Sequence, residues 1–332
     1  MGRREANIVV LAKDPKDPAN AALYDGLPSG SKVVATVSSF DEFDSIDSEL
    51  GKDVNVLFTS WSSKEVVTEA LKRFPAIEWV HARSAGVEHI ICPALVEHPC
   101  KLTNARGCFS STLAEYTMLS CGYFAKDLPR LMRQKKEKNW EQYCVKELRG
   151  STLGIVGYGD IGKACGRLAK AYGMKVVALK RTPVDDDVAD VVYGGDGLNE
   201  LMAECDYIVV AAPLTEKTKG MVGEAALSAA KEGSVLINLG RGPIVDEKAM
   251  IGALESGKLR GLALDVFVVE PLPKGNKLWE LDNVLLSPHN MDMTETFMEE
   301  ATEVFKESWL VKFLEGEDIG GFPNLVKKEE GY

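Results

Sequence analysis

Short aliphatic runs alternate along the chain with stretches whose apolar residues recur every three or four positions. In the first hundred residues, the runs at 7–12, 32–37, 55–58 and 78–81 are rich in β-branched residues and read as strands. Ser63 precedes Val66, Val67, Ala70, Leu71 and Phe74, which share one helical face, so a helix starts there. A long helix is expected at 110–126, where Ser120, Cys121, Gly122 and Ala125 suit close packing. After a polar, basic segment that ends at Trp140, a run at 153–156 leads into a helix and a second run at 175–179. In that helix Cys165, Leu168, Ala169 and Tyr172 form one apolar face, and Gly173 stops it. Further strands are expected at 207–211, 234–239, 262–266 and 284–287. A helix at 247–256 is capped by Asp246 and ended by Gly257, and a last helix at 294–315 buries Phe297, Ala301, Val304 and Phe305. Apolar strands separated by amphipathic helices imply an α/β fold of doubly wound parallel sheets covered on both faces. The chain is expected to cross between two domains, 1–104 with 293–332 and 105–292.

Gly157, Gly159 and Gly162 fall at G-x-G-x-x-G, where the run at 153–156 turns into its helix. Such glycines permit a tight turn, let a pyrophosphate touch backbone, and let helix and strand pack closely. The helix start supplies free N–H groups and partial positive charge. Glycines also mark ordinary turns, but the flanking strand and helix favour a dinucleotide cradle of Gly157, Gly159, Asp160, Ile161 and Gly162. Lys163 has no Gly-Lys-Ser/Thr setting, which excludes a Walker loop. The second strand ends in Lys180-Arg181-Thr182. An acidic residue there would bond the ribose hydroxyls of NAD, whereas two cations and a hydroxyl suit a 2′-phosphate. NADP(H) is therefore expected over NAD(H), the alternative being two solvated surface cations.

A length of 332 residues accommodates two cored domains. The net charge of −11 argues against nucleic acid or an anionic membrane as partner. Seven scattered cysteines without a C-x-x-C pair fit a reducing compartment, and a cytoplasmic location is expected. No eighteen-residue apolar run and no signal-peptide core are present. The four histidines and the cysteines form no metal-site spacing, so no metal is expected.

Arg241, Glu270 and His289 each follow a different strand of the second domain, at the edge where α/β sheets bind ligands. Singly they read as a surface cation, a loop acid and a half-buried imidazole. Together, beside a nicotinamide, they supply what hydride transfer to a 2-oxo acid requires. Arg241 holds the carboxylate and carbonyl, His289 donates the proton, and Glu270 aims the imidazole and favours its charged form. In the first domain, Ser84-Ala85-Gly86 follows a strand end and presents backbone N–H groups to a carboxylate, or is a plain turn. Trp61 walls the same cleft or serves packing.

At these residues the chain resembles the D-2-hydroxyacid dehydrogenase family, through SAGVEH, TNARGCFSSTLAEY, GIVGYGDIGKA, AAPLTEKTKGMV, LINLGRGPIVDE, LALDVFVVEPLP and LLSPHNMDMT. By resemblance, Arg241, Glu270 and His289 match the catalytic residues, and Ala85 and Gly86 match the loop that takes the substrate carboxylate. Ala212, Pro213, Thr218, Leu239 and Asp265, with Gly240 alongside, match positions that line the cofactor. The resemblance implies a Rossmann cofactor domain inserted in a flavodoxin-like substrate domain, with the active site in the cleft between them and closure on binding. It also implies a homodimer built on the cofactor domains. Trp140 is similar to an aromatic residue that some glyoxylate/hydroxypyruvate reductases extend into the partner's site. There are departures. Lys180 replaces the usual acidic residue, and Asn290-Met291-Asp292 replaces a small-residue run after the histidine. Glu270 stands where formate dehydrogenases carry Gln, which favours hydroxyacid chemistry.

The expected function is NADPH-dependent reduction of a small 2-oxo acid, such as glyoxylate or hydroxypyruvate, to the D-2-hydroxy acid. One alternative is a cofactor-sensing, non-catalytic protein resembling the C-terminal-binding-protein corepressors, although the chain ends soon after its last helix. The other is an NAD-dependent phosphoglycerate-type dehydrogenase, which would want an acid at 180 and more basic residues near the loop than Arg83.

Overall fold

The computed structural model describes residues 4–46, 48–183 and 185–332. The chain forms two compact units, Met1–Cys108 with Glu295–Tyr332, and Phe109–Thr294. The crossings fall at 108/109 and 294/295 rather than at 104/105 and 292/293. The segment after residue 104 stays with the first unit because it is bonded into it: Ala105 N donates to Ser84 O (3.1 Å) and Asn104 N to Asn324 O (3.2 Å).

The first unit opens with β1 (Ala6–Ala12), β2 (Ser31–Val37), β3 (Val56–Ser60), β4 (Trp79–Ala82) and β5 (Lys101–Asn104). They lie in the order β2-β1-β3-β4-β5, all parallel. β1 is buried along its whole length, and its alternate residues feed two cores. Val9 and Leu11 pack with Val67, Ala70 and Leu71 of the helix Lys64–Arg73, while Ile8 and Val10 pack with Phe305 and Phe313. Ser63 caps the helix Lys64–Arg73 by accepting from Val66 N (3.4 Å).

The second unit carries β6 (Thr152–Val156), β7 (Lys175–Leu179), β8 (Val191–Tyr193), β9 (Tyr207–Val210), β10 (Ser234–Asn238), β11 (Leu259–Leu264) and β12 (Val284–Leu286). Their order is β8-β7-β6-β9-β10-β11-β12, parallel throughout, so the winding reverses between β6 and β9. The helix Asp160–Ala171 buries Cys165 and Ala169. Tyr172 is not on that buried face. It is the C-cap and 53% exposed, because Gly173 at φ +72° has already turned the chain. The helix Ser110–Ala125 buries Ser120, Cys121 and Ala125, and its Thr117 Oγ1 lies 3.3 Å from Cys165 Sγ.

The chain then returns to the first unit. The single helix expected at 294–315 is a helix Phe297–Val304, a π-helical stretch Phe305–Leu310 and a last turn Val311–Leu314. The inward face is Met298, Ala301, Phe305, Leu310 and Phe313, the five-residue step from Phe305 to Leu310 falling in the wider π turn, and Phe297 and Val304 are only half-buried. β13 (Leu325–Val326) closes the sheet antiparallel to β5. No helix among the described residues is long and apolar enough to cross a membrane, and none of their His, Cys, Asp and Glu side chains cluster as a metal site.

Candidate active site

The three glycines after β6 differ in what surrounds them. Gly157 has φ +99°, and a Cβ there would lie 2.4 Å from Ala212 N, so the chain after β6 is pressed against the chain after β9 at the winding reversal. A Cβ on Gly162 would meet Gly157 O at 2.6 Å and Ile155 Cγ2 at 2.9 Å, which sets the closeness of helix and strand. A Cβ on Gly159 would meet nothing within 4 Å. Gly159 is also the N-cap of the helix Asp160–Ala171, and no side chain caps that end. The helix start thus lacks a side-chain cap at a sheet switch point, with open space over Gly159, and the residues fit a dinucleotide pyrophosphate. Asp160 and Ile161, in that first turn, are half-buried.

Past β7, Lys180 is half-buried while Arg181 and Thr182 are exposed. Lys163 is engaged elsewhere. Its Nζ pairs with Asp186 Oδ2 (2.5 Å), and Asp186 Oδ1 accepts from Tyr158 OH (2.7 Å) and Val188 N (3.0 Å). The lysine and tyrosine hydrogen bonds hold the Asp186 carboxyl far below its ordinary range, and burial, then Asp186, pushes the Tyr158 phenol up. This cluster ties the segment around Asp186 to the glycine loop. After β9, Ala212 is buried and Pro213 exposed, and Thr218 donates to Pro213 O (2.6 Å), fixing their turn. After β10, Leu239 and Gly240 are buried. The Asn238 carboxamide braces that turn, accepting from Gly240 N (3.1 Å) and donating to Arg241 O (3.2 Å).

Arg241, Glu270 and His289 follow β10, β11 and β12, and Arg241 Nη1 donates to Gly240 O (2.8 Å). His289 Nδ1 lies 2.7 Å from Glu270 Oε2, and Glu270 Oε1 accepts from Phe267 N (2.8 Å), so both carboxylate oxygens are fixed. The two side chains remain 38% and 36% exposed. A Cβ on Gly242 would sit 2.0 Å from Phe267 C, so the turn bearing Arg241 lies against the loop bearing Glu270. Burial raises the Asp292 carboxyl, against the pull of His289 and Arg241. Asp292 is therefore within electrostatic reach of both.

His289 adopts φ +54°, a left-handed conformation that costs a non-glycine residue energy. Asp265 holds it there. Its Oδ1 accepts from Ser287 Oγ (2.7 Å) and Asn290 N (3.1 Å), and its Oδ2 from Met291 N (3.4 Å), so the chain is clamped on either side of the histidine. Asp265 is 2% exposed, and the loop occupies both its oxygens.

In the first unit, the three carbonyls of the loop after β4 all face the protein. Ser84 O accepts from Ala105 N (3.1 Å), Ala85 O from Asn104 Nδ2 (2.6 Å) and Gly86 O from Ser84 Oγ (2.7 Å). The N–H groups of Ala85 and Gly86 have no partner among the described residues. An anion is the natural complement of such a loop. Trp61 stands at the end of β3, 46% exposed, with φ +57° and its ring centroid 5.9 Å from that of His89. Asn104, Asn238, Asp186 and Asp292 carry no motif that marks them for these tasks. Asn104 and Asn238 are the last residues of β5 and β10, Asp292 lies three residues past His289, and Asp186 four past Thr182.

A family profile described as D-isomer specific 2-hydroxyacid dehydrogenase, NAD binding domain, matches residues 118–290. A D-3-phosphoglycerate dehydrogenase from Methanocaldococcus jannaschii is 33% identical over 287 residues, 84% of this chain and 54% of that protein, so the chain spans about half of that relative. A glyoxylate reductase from Korarchaeum cryptofilum is 30% identical over 284 residues, 84% of each. Among solved structures, a D-isomer specific 2-hydroxyacid dehydrogenase from Xanthobacter autotrophicus Py2 in complex with NADPH and MES superposes with a TM-score of 0.82, at 26% identity, covering 99% of this chain and 100% of that one. With its two parallel-sheet units, its glycine loop and its histidine–glutamate pair, the chain belongs to the D-isomer specific 2-hydroxyacid dehydrogenases, a family of NAD(P)-dependent oxidoreductases.

Proposed function

We propose that this protein is an NADPH-dependent reductase of small 2-oxo acids, glyoxylate or hydroxypyruvate foremost, yielding the D-2-hydroxy acid. The observation that carries this reading is the 2.7 Å bond between His289 Nδ1 and Glu270 Oε2. It fixes the ring and leaves Nε2 to donate a proton to the substrate carbonyl oxygen, a step worth about 10²–10⁴-fold in rate. The planar fork of Arg241 holds the substrate's carboxylate and carbonyl. Ser84, Ala85 and Gly86 take the carboxylate on their N–H groups, and Trp61 borders the same subsite. When bound, the reduced nicotinamide supplies the hydride. Gly157, Gly159, Asp160, Ile161 and Gly162 hold its pyrophosphate, and Ala212, Pro213, Thr218, Leu239 and Gly240 line the remainder, while Asp265, buried with both oxygens bonded to the loop of His289, sets that loop instead. Lys180, Arg181 and Thr182 select the 2′-phosphate. The nearby Asp186 opposes it little, because its charge is met by Lys163 at 2.5 Å. The seven free cysteines suit a cytoplasmic enzyme.

A second reading, NAD-dependent oxidation of a phosphorylated 2-hydroxy acid, draws on the 33% identical phosphoglycerate dehydrogenase. A panel of 2-oxo acids and 3-phosphoglycerate, assayed with both cofactors, separates the two. The expected result is kcat/KM at least about tenfold higher with NADPH on a small 2-oxo acid, as an ion pair to the 2′-phosphate provides. Equal or better use of NADH defeats the cofactor assignment. His289→Gln is expected to lower turnover by about 10²-fold or more while sparing NADPH binding, and undiminished turnover rejects its role.

A further inference from the structure

Arg83, between β4 and the Ser84–Gly86 loop, is a buried cation with no task in the reading above. It is 1% exposed. Its Nη1 donates to Ala19 O, in the segment after β1 (3.0 Å), and its Nη2 to Ser60 Oγ, the last residue of β3. The guanidinium thus lies across the carboxyl ends of β1 and β3. Those are the strands at which the order β2-β1-β3-β4-β5 reverses, the place where open α/β sheets take their ligands.

The charge is not neutralised locally. No carboxylate stands within 4 Å of Arg83 among the described residues, and Asp17 acts on it only from further away. Three buried polar atoms at this place lack partners: Arg83 Nε, Asn20 Oδ1 and Thr59 Oγ1. Burial pushes the guanidinium down to about 10, so it stays charged at neutral pH. A buried cation without a counter-charge is a poor stabilising device, because its two hydrogen bonds and the Phe58 ring 5.9 Å away offset only part of its desolvation. Its field, by contrast, extends through a medium of low dielectric. The adjacent loop has turned its carbonyls inward and its Ala85 and Gly86 N–H groups away from protein partners.

Resting on the 2-oxo acid reading, we propose that Arg83 is a positioning residue whose uncancelled charge strengthens the hold of the Ser84–Gly86 loop on the substrate carboxylate without touching it. The test uses oxalate, an uncoupled dianion, titrated calorimetrically into the full chain, with KM and kcat for the best 2-oxo acid measured alongside. Arg83→Gln is expected to weaken oxalate and raise KM by about tenfold, with kcat changed by less than about twofold. Arg83→Lys keeps the charge and most of the affinity. Ser60→Asp leaves the arginine in place and supplies the missing carboxylate. It is expected to raise the melting temperature and yet weaken oxalate, opposite movements that a purely structural role would not produce. Oxalate affinity unchanged in Ser60→Asp, or in folded Arg83→Gln, overturns the proposal, as does wild-type protein that fails to bind oxalate. Wild-type protein that binds oxalate but reduces no 2-oxo acid defeats the reductase reading instead, and the two failures stay distinguishable.

Discussion

His289 and Asp292 sit three residues apart under opposite constraints. The histidine is held in a left-handed backbone by bonds from Asp265 to its neighbours. The aspartate is half-buried, and burial lifts its carboxyl above the usual range. A raised acid keeps its proton to higher pH in the folded state than in the unfolded chain. Its ionised form therefore costs stability above the folded value, and nothing below the unfolded value of about 3.8. Asp292→Asn is expected to stabilise the protein at pH 7 and to be neutral below about pH 3.5. Thermal melts at the two pH values check this, and a lower melting temperature at pH 7 would mean that attraction to His289 and Arg241 dominates. Arg241, Glu270 and His289 are legible in the chain because each lies within six residues of the end of an apolar strand. The residues that brace the two loops are not. Asn104 acts through Ala85 and is itself held by Asn324, 220 positions away, and Asp186 meets Tyr158 across 28 positions. Nothing local in a sequence encodes such pairings.

At the scale of elements, β4 shows how a strand end and a core can be set by one hydroxyl. Trp79 Nε1 donates to Thr103 Oγ1 on β5 (2.7 Å), and His81 Nδ1 lies 2.8 Å from the same oxygen. The threonine, already accepting from Trp79, gives its own proton to His81 Nδ1, which leaves the imidazole proton on Nε2, where no partner exists. Burial pushes this ring, packed between Phe58 and Phe305, down to about 3. The unfolded chain takes up a proton below about 6.5, and the folded one does not until about 3, so stability falls as the pH drops through that window. The expected loss is up to about 1.4 kcal/mol per pH unit, and His81→Phe should flatten it. Urea unfolding between pH 7 and pH 4 measures both slopes, and equal slopes would refute the assignment. β5 itself escapes a reading by pattern. It has four residues, three of them Lys101, Thr103 and Asn104, and it is a strand because β4 and β13 pair with it. The two-residue β13 and the π-helical stretch are likewise products of packing rather than of periodicity.

At the scale of the molecule, the acidic surface is interrupted on the second unit by exposed apolar side chains. Leu131, Met132 and Val145 are 46%, 61% and 50% exposed, and Trp140 is 94% exposed. Exposed apolar groups mark association surfaces, and the homodimer expected from the sequence would place its contact at this face, where Leu131, Trp140 and Val145 line one hollow. Met132→Asp together with Trp140→Ala is expected to convert a dimer to monomers in sedimentation equilibrium, and a monomeric wild type would remove the assignment.

The covering of the first sheet by residues 305–322 has a consequence for synthesis. The face of β1 and β3 that bears Ile8, Val10 and Phe58 is covered by Phe305, Phe313 and Phe322, which emerge from the ribosome only after the whole of Phe109–Thr294. The inserted unit is complete and able to collapse while the earlier one still shows a bare aliphatic wall. A nascent chain stalled near residue 300 would therefore be a strong client for a chaperone, and synthesis of residues 305–322 relieves it.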